Sequence, residues 1–199
     1  MLRASIKRLD DFRAIVRIAF ATTVATCFLL TAAVAGDVGW RSASGDPLPD
    51  TEARKSVDGF GAWLLVTSGS ESTQQGDSPQ SLALAASRQV TSVMPGDVIS
   101  LPIFLLNPTR DTQGGTVDVT CDVVFTRPDG KPERSYSFKC LEGPLPADES
   151  VHVINSAIEF VGEPGDPPGT WTVDVVINDR AGSRKLSLQT TFDVPPRRA

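Results

Sequence analysis

The stretch Gly169-Thr170-Trp171-Thr172-Val173-Asp174-Val175-Val176-Ile177-Asn178-Asp179 constrains this chain more than any other. Trp171, Val173, Val175 and Ile177 are apolar, Thr170, Thr172, Asp174 and Asn178 are polar, and only Val176 breaks the alternation. A period of two is the pattern of a half-buried β-strand, because successive side chains leave a pleated backbone on opposite faces. One such strand cannot bury its apolar face alone, so the remaining sequence has to supply strands in matching phase.

The nearest partner follows directly. After a polar turn, Leu186, Leu188, Thr190, Phe192 and Val194 continue in even phase. Pairing Trp171 with Phe192, Val175 with Leu188 and Ile177 with Leu186 gives a terminal hairpin with one apolar face. Trp171 is therefore expected inside, against Phe192.

A second hairpin carries covalent chemistry. Val117, Val119, Cys121, Val123 and Phe125 share one face of residues 116–126, with Asp118, Thr120 and Asp122 on the other. Arg127-Pro128-Asp129-Gly130-Lys131-Pro132 is the turn, after which Tyr136, Phe138 and Cys140 repeat the apolar phase. Setting Phe125 opposite Tyr136 places Val123 against Phe138 and Cys121 against Cys140. Directly opposed residues at a non-hydrogen-bonded site have Cα atoms about 4.5 Å apart, within the range a disulfide tolerates. A structural disulfide between neighbouring strands is expected, rather than a redox dithiol or a metal site, since no Cys or His lies nearby.

The N-terminus indicates the compartment. Arg3, Lys7, Arg8, Arg13 and Arg17 precede an uncharged run from Ile18 that closes on Ala33-Val34-Ala35. These are the three regions of a secretory signal peptide, which implies cleavage near Ala35 and a periplasmic or extracellular location. An uncleaved anchor is the competing reading, because about 18 apolar residues can span a bilayer. Cys27 follows Thr26 and precedes more apolar residues, so it belongs to the hydrophobic region rather than to a lipoprotein site. Removing residues 1–35 leaves 164 of the 199 residues, with 14 basic and 22 acidic side chains, a net charge of −8 with His neutral. That balance disfavours nucleic acid and anionic membrane surfaces as partners, so no membrane association of the mature chain is expected. Export also suits a persistent disulfide.

Between these landmarks, residues 36–59 are polar and Pro-rich and read as a flexible leader carrying the lone Trp40. Residues 60–67 are a continuous apolar run, expected as a strand buried on both sides. Residues 81–87 could form a helical turn or two, whereas 88–93 favour strand. Residues 98–107 form a strand in which Pro102 demands an edge or a bulge. Residues 150–160 change apolar phase near Ile154, which suggests a bulge within one strand. Residues 60–194 are thus one β domain and 195–199 a tail.

The spacing of these elements argues for an all-β, antiparallel sandwich of about seven strands, preceded by a signal-peptide helix. Pro95-Gly96-Asp97-Val98 entering a strand, Pro128-Asp129-Gly130 at a hairpin, and Gly169-Thr170-Trp171-Thr172-Val173 leading to Asp179 carry a resemblance to secreted bacterial immunoglobulin-like domains. The same residues are similar to the macroglobulin and fibronectin type of sandwich. The resemblance covers roughly residues 60–194 and implies an immunoglobulin-like fold. It departs from antibody-type domains, whose disulfide joins opposite sheets.

No Gly-x-Ser-x-Gly elbow, paired histidines or Cys–His arrangement is present, so no enzyme, catalytic residue or cofactor is expected. His152, the single histidine, reads as a surface or packing residue rather than a general base. Asp118 and Asp122 share a strand face and read as solubility features. Glu163, Asp166 and Asp179 are too few for calcium, which takes six to eight oxygens, and read as turn chemistry. The expected function is a non-catalytic module of the cell envelope that binds a protein partner through edge strands, such as the one with Pro102, or end loops. The alternative is binding of carbohydrate or another small ligand, for which Trp40 and Trp63 are the candidate ligand-facing rings.

Overall fold

The structure, a computed structural model, describes residues 39–42, 44–69, 79–112, 115–146, 149–154 and 158–196. The expected signal peptide, its cleavage near Ala35 and residues 197–199 of the tail lie outside the described residues. The described chain is mostly β, with antiparallel sheets and one short helix.

The strands in chain order are β1 (Arg54–Val57), β2 (Phe60–Leu64), β3 (Thr67–Ser68), β4 (Val98–Ser100), β5 (Ile103–Leu106), β6 (Thr116–Thr126), β7 (Pro132–Pro144), β8 (Val151–Val153), β9 (Glu159–Val161), β10 (Gly169–Asp179) and β11 (Arg184–Val194). The helix is α1 (Pro79–Ser87). One sheet has the order β11-β10-β6-β7, a second β1-β2-β5-β8, and a third β3-β4-β9.

The long sheet is the one that period-two reasoning anticipates. β10 and β11 pair with Trp171 opposite Phe192, Val175 opposite Leu188 and Ile177 opposite Leu186, as the alternation requires. On its other side β10 pairs β6, with Val175 opposite Val123 and Ile177 opposite Cys121. The inward residues of β6, β10 and β11 form one buried cluster with Phe60, Leu64, Ile99, Ile103, Leu105 and Phe160 of the facing sheets. This is sandwich packing around a single core.

The two smaller sheets are one layer broken by a transverse bend. β2 passes into β3, β4 into β5 and β8 into β9, and all three breaks fall at the same level. Pro102 sits at the middle break, where it has no N–H to donate, and its carbonyl accepts from Leu65 N at 3.1 Å. Leu101 N to Ile158 O and Ile154 N to Ile103 O, each 2.9 Å, carry the layer across the bend. The phase change at Ile154 is therefore a change of sheet, not a bulge within one strand. A total of about seven strands understates the eleven described segments for the same reason.

The second hairpin has a different register from the one expected. Cys121 faces Phe138, Val123 faces Tyr136 and Phe125 faces Arg134, two residues from the pairing that sets the cysteines opposite one another. A bulge takes up one of those two residues: Thr120 pairs Lys139 and Val119 pairs Leu141, so Cys140 is the extra residue. The disulfide between Cys121 and Cys140 forms nonetheless, with Cα atoms 5.7 Å apart, because the bulge swings Cys140 inward. Tyr136, expected in the core phase, is 44% exposed, since β7 is the last strand of its sheet and residues 132–137 are all exposed.

Residues expected as a flexible leader are built into the domain. β1 pairs β2 over four residues, and Gln189 N donates to Glu52 O at 2.8 Å, tying this segment to β11 as well. Trp40 packs with Leu48, Leu65, Leu82, Ala85, Phe104, Leu106 and Val153 in a second apolar cluster on the outer face of β2, β5 and β8. This sheet is therefore covered on both faces, which is why every residue from Leu101 to Leu106 is buried instead of alternating. Odd positions feed the main core and even positions the outer cluster. Residues 81–87 belong to α1, and 88–93 make only isolated bridges, at Gln89 and Ser92, in place of the expected strand.

Candidate functional site

The side chains with chemical potential fall into three places. At one end of the sandwich, the Asp179 carboxylate has no exposed surface. Its Oδ2 accepts from Arg184 Nη2 at 2.5 Å and Nε at 3.1 Å, and from Thr109 Oγ1 at 2.7 Å and N at 3.2 Å. Its Oδ1 accepts from Gly182 N at 3.2 Å. Arg184 also donates to Asp58 O, Asn107 O and Thr109 Oγ1, and its guanidinium lies 5.0 Å from the Phe60 ring centre. Asp58, Asn107 and Ser183, the non-glycine residues with positive φ among those described, all border this pair. Asn107 Nδ2 further donates to Gly59 O at 3.2 Å.

Asp179 is thus not a surface turn residue. Its acceptor capacity is occupied within the fold, and it welds the β10–β11 turn to the β1–β2 turn and to the segment after β5. Glu163 and Asp166 lie at the other end of β10, where Asp166 Oδ2 accepts from Glu163 N at 2.7 Å. Among the described residues no group of three or more His, Cys, Asp or Glu is placed to hold a metal ion.

The second place is the outer face where Trp40 and Trp63 meet. Their rings pack edge to face with centroids 5.6 Å apart. Trp40, a candidate ligand-facing ring only under the carbohydrate alternative, is 3% exposed and packs against the domain. It lies on the bare backbone of Gly61, where an added Cβ would stand 2.8 Å from its Nε1. Trp63 is half-buried, and the Arg54 guanidinium covers its ring at 4.5 Å from the centroid. Burial pulls the Arg54 guanidinium below its ordinary range, while Asp50 acts in the opposite direction. A shallow apolar cleft of about 260 Å³ borders Trp63, lined by Arg41, Leu48, Leu82 and Ala86 among others.

The third place is β7. It closes the long sheet on one side, and among the described residues no strand pairs with its outer edge. Tyr136 stands on it edge-on to Phe125, with centroids 6.3 Å apart. Glu133 reaches Arg127 at 3.2 Å, and Lys139 pairs with Glu142. The remaining candidates are dispersed. Asp118 pairs with Arg180 at 3.5 Å, while Asp122 accepts from Ser137 Oγ at 2.6 Å. His152 is fully buried on β8, with Nδ1 4.0 Å from the Glu149 carboxylate.

Taken together, these features define an antiparallel β-sandwich domain stapled by a disulfide, with its buried charge spent on the fold. No family model and no curated protein matches the chain. Among solved structures it is similar to the C-terminal domain of Wzt at a TM-score of 0.41 and 10% identity, covering 73% of this chain and 78% of that one. It is also similar to a CARDB domain from Pyrococcus furiosus in complex with di-metal ions, at a TM-score of 0.36 and 9% identity, covering 75% and 100%. A third similarity is to the alkylpurine DNA glycosylase AlkC of Pseudomonas fluorescens bound to DNA containing an abasic site analog. There the TM-score is 0.34 and the identity 16%, and the match spans 53% of this chain but only 28% of that one. Matches of this strength transfer no activity or ligand. No described helix is long and apolar enough to cross a membrane.

Proposed function

We propose that this chain is an exported, non-catalytic module with an immunoglobulin-like sandwich, acting in the cell envelope by binding a protein. The observation that carries the reading is the open edge of β7, the longest strand of the domain, with residues 132–137 exposed along it. An unpaired edge presents a row of backbone donors and acceptors, which is the surface that β-strand addition uses. The disulfide supports export, because it lasts only in an oxidising compartment.

The carbohydrate alternative has less support. Of the two candidate rings, Trp40 is buried, and Trp63, which borders the shallow cleft, carries Arg54 on one face.

Incorporation of a photo-crosslinking side chain at Tyr136 in the full-length protein, expressed in its native envelope, tests the proposal. One discrete protein adduct is expected, absent when the probe is placed on the outer face at Gln189. Equal, diffuse labelling from both positions would remove the proposal.

A further inference from the structure

We infer that the partner of the β7 edge is a second copy of this chain, joined antiparallel about a two-fold axis through Tyr136. The inference rests on the interaction reading above and names its partner. Its basis is the order of side chains on the strand, Glu133-Arg134-Ser135-Tyr136-Ser137-Phe138-Lys139. A two-fold axis at Tyr136 sets Glu133 of each copy opposite Lys139 of the other, so one favourable charge pair is made twice. The same axis sets Ser135 against Ser137, Arg134 against the ring of Phe138, and Tyr136 against itself. Opposite charges, small hydroxyls and cation–ring contacts are the cross-strand pairs that stabilise sheets.

The neighbouring registers lack this match. An axis at Ser135 brings Lys139 against Lys131 of the second copy, two cations directly opposed. An axis at Ser137 leaves Glu133 facing Leu141 and Arg134 facing Cys140, with no charge pair formed at either position. The edge suits pairing in other respects too. Proline occurs only at Pro132 and Pro144, so every residue between them keeps its N–H. Glu133, at the bulge beside Pro132, and Lys139 are engaged only with exposed partners on their own copy, Arg127 and Glu142, and surface pairs of that kind exchange readily. Tyr136, among the most exposed large hydrophobic residues described, lies at the axis, where pairing would cover it. A single strand edge per copy makes a small interface, so the dimer should be concentration-dependent and in exchange.

Sedimentation velocity on the full-length protein, over a concentration series, measures the association. Lys139→Glu and Glu133→Lys should each weaken it about tenfold, because each replaces two attractive pairs by two repulsive ones. The double variant carrying both changes should recover it. Tyr136→Cys should give a disulfide-linked dimer under mild oxidation and Arg134→Cys should not, since only a residue on the axis meets its own copy at bonding distance. The charge variants alter exposed side chains, so a defect in folding of the Cys variants leaves the test intact. A protein that stays monomeric throughout, or a dimer indifferent to the charge variants, overturns the inference. If that monomer still gives a discrete β7 adduct with a different protein, the interaction reading survives, and if it gives none, both fail.

Discussion

The carboxylate of Asp179 and the guanidinium of Arg184, five residues apart across the β10–β11 turn, form an ion pair whose acid has no exposed surface. The pair is embedded in donors from Thr109 and Gly182 and ties three connections together. Burying charge is tolerable only when both members are paired and hydrogen-bonded, and here both are.

Removing one member should expose that dependence. Arg184→Met strands the Asp179 carboxylate and is expected to cost about 3–5 kcal/mol in urea denaturation. Adding Asp179→Asn in the same chain should restore part of the loss, because the amide carries no charge to strand and its single oxygen, set at the Oδ2 position, still accepts from Thr109. A double variant no more stable than the single one would assign the cost to Arg184 packing on Phe60 alone.

Gly182 lies against this pair, and the constraint there is space. A Cβ would stand 2.3 Å from Thr109 Oγ1 and 2.7 Å from both Arg184 Nε and Asp179 Oδ2. Gly182→Ala should therefore destabilise the domain by about 1–3 kcal/mol, the range for forced overpacking. A thermal melt superimposable on that of the parent would show that the turn can open without loss.

The Cys121–Cys140 bond closes a loop with a sequence separation of 19. Replacing both cysteines by serine should cost about 3 kcal/mol on the chain-entropy account. The denaturation midpoint should fall to that of the reduced parent protein. A midpoint equal to that of the oxidised protein would mean that the bridge adds no stability.

Trp40 anchors the segment before β1 onto the outer face of the sheet. Trp40→Ala should cost about 3–5 kcal/mol, the usual range for truncating a buried aromatic. Gly61→Ala should loosen the same contact, because the new methyl would collide with Trp40 Nε1. Urea denaturation checks the first and acrylamide quenching the second: the Gly61→Ala variant should expose a tryptophan that the parent protects.

In the β6–β7 turn, hydrogen bonding from Lys131 holds the Asp129 carboxyl below its ordinary range. A lowered carboxylate pKa favours the folded hairpin above the unfolded value, and that contribution is lost as pH falls through the folded one. An NMR titration should place Asp129 below the ordinary aspartate range. Lys131→Ala should move it part of the way back, since the backbone N–H of residue 131 still donates, and an unchanged curve in that variant would discount the Lys131 side chain as a cause.

The strands of the long sheet were legible because each meets the core on one face and solvent on the other, and that contrast is written directly as period two. Trp171 and Phe192 could be paired from the text alone for this reason. The layer of β2, β5 and β8 was less legible, because it is buried on both faces and its side chains no longer alternate. Asp179 was the residue most misread. It looked like an outward turn acid, and nothing local announces that Arg184, Thr109 and Asp58 converge on one point.

Sequence alone determined the residues of β6, β10 and β11, the identity of the bonded cysteines and the inward placement of Trp171, since these depend on local periodicity and on chemistry within single hairpins. Tertiary structure decided the bulge at Cys140, the sheet break at Pro102, the folding of Trp40 onto the domain and the burial of Asp179. Each of these depends on contacts between residues far apart in the chain, and local side-chain patterns carry no record of which distant surface will arrive to cover them.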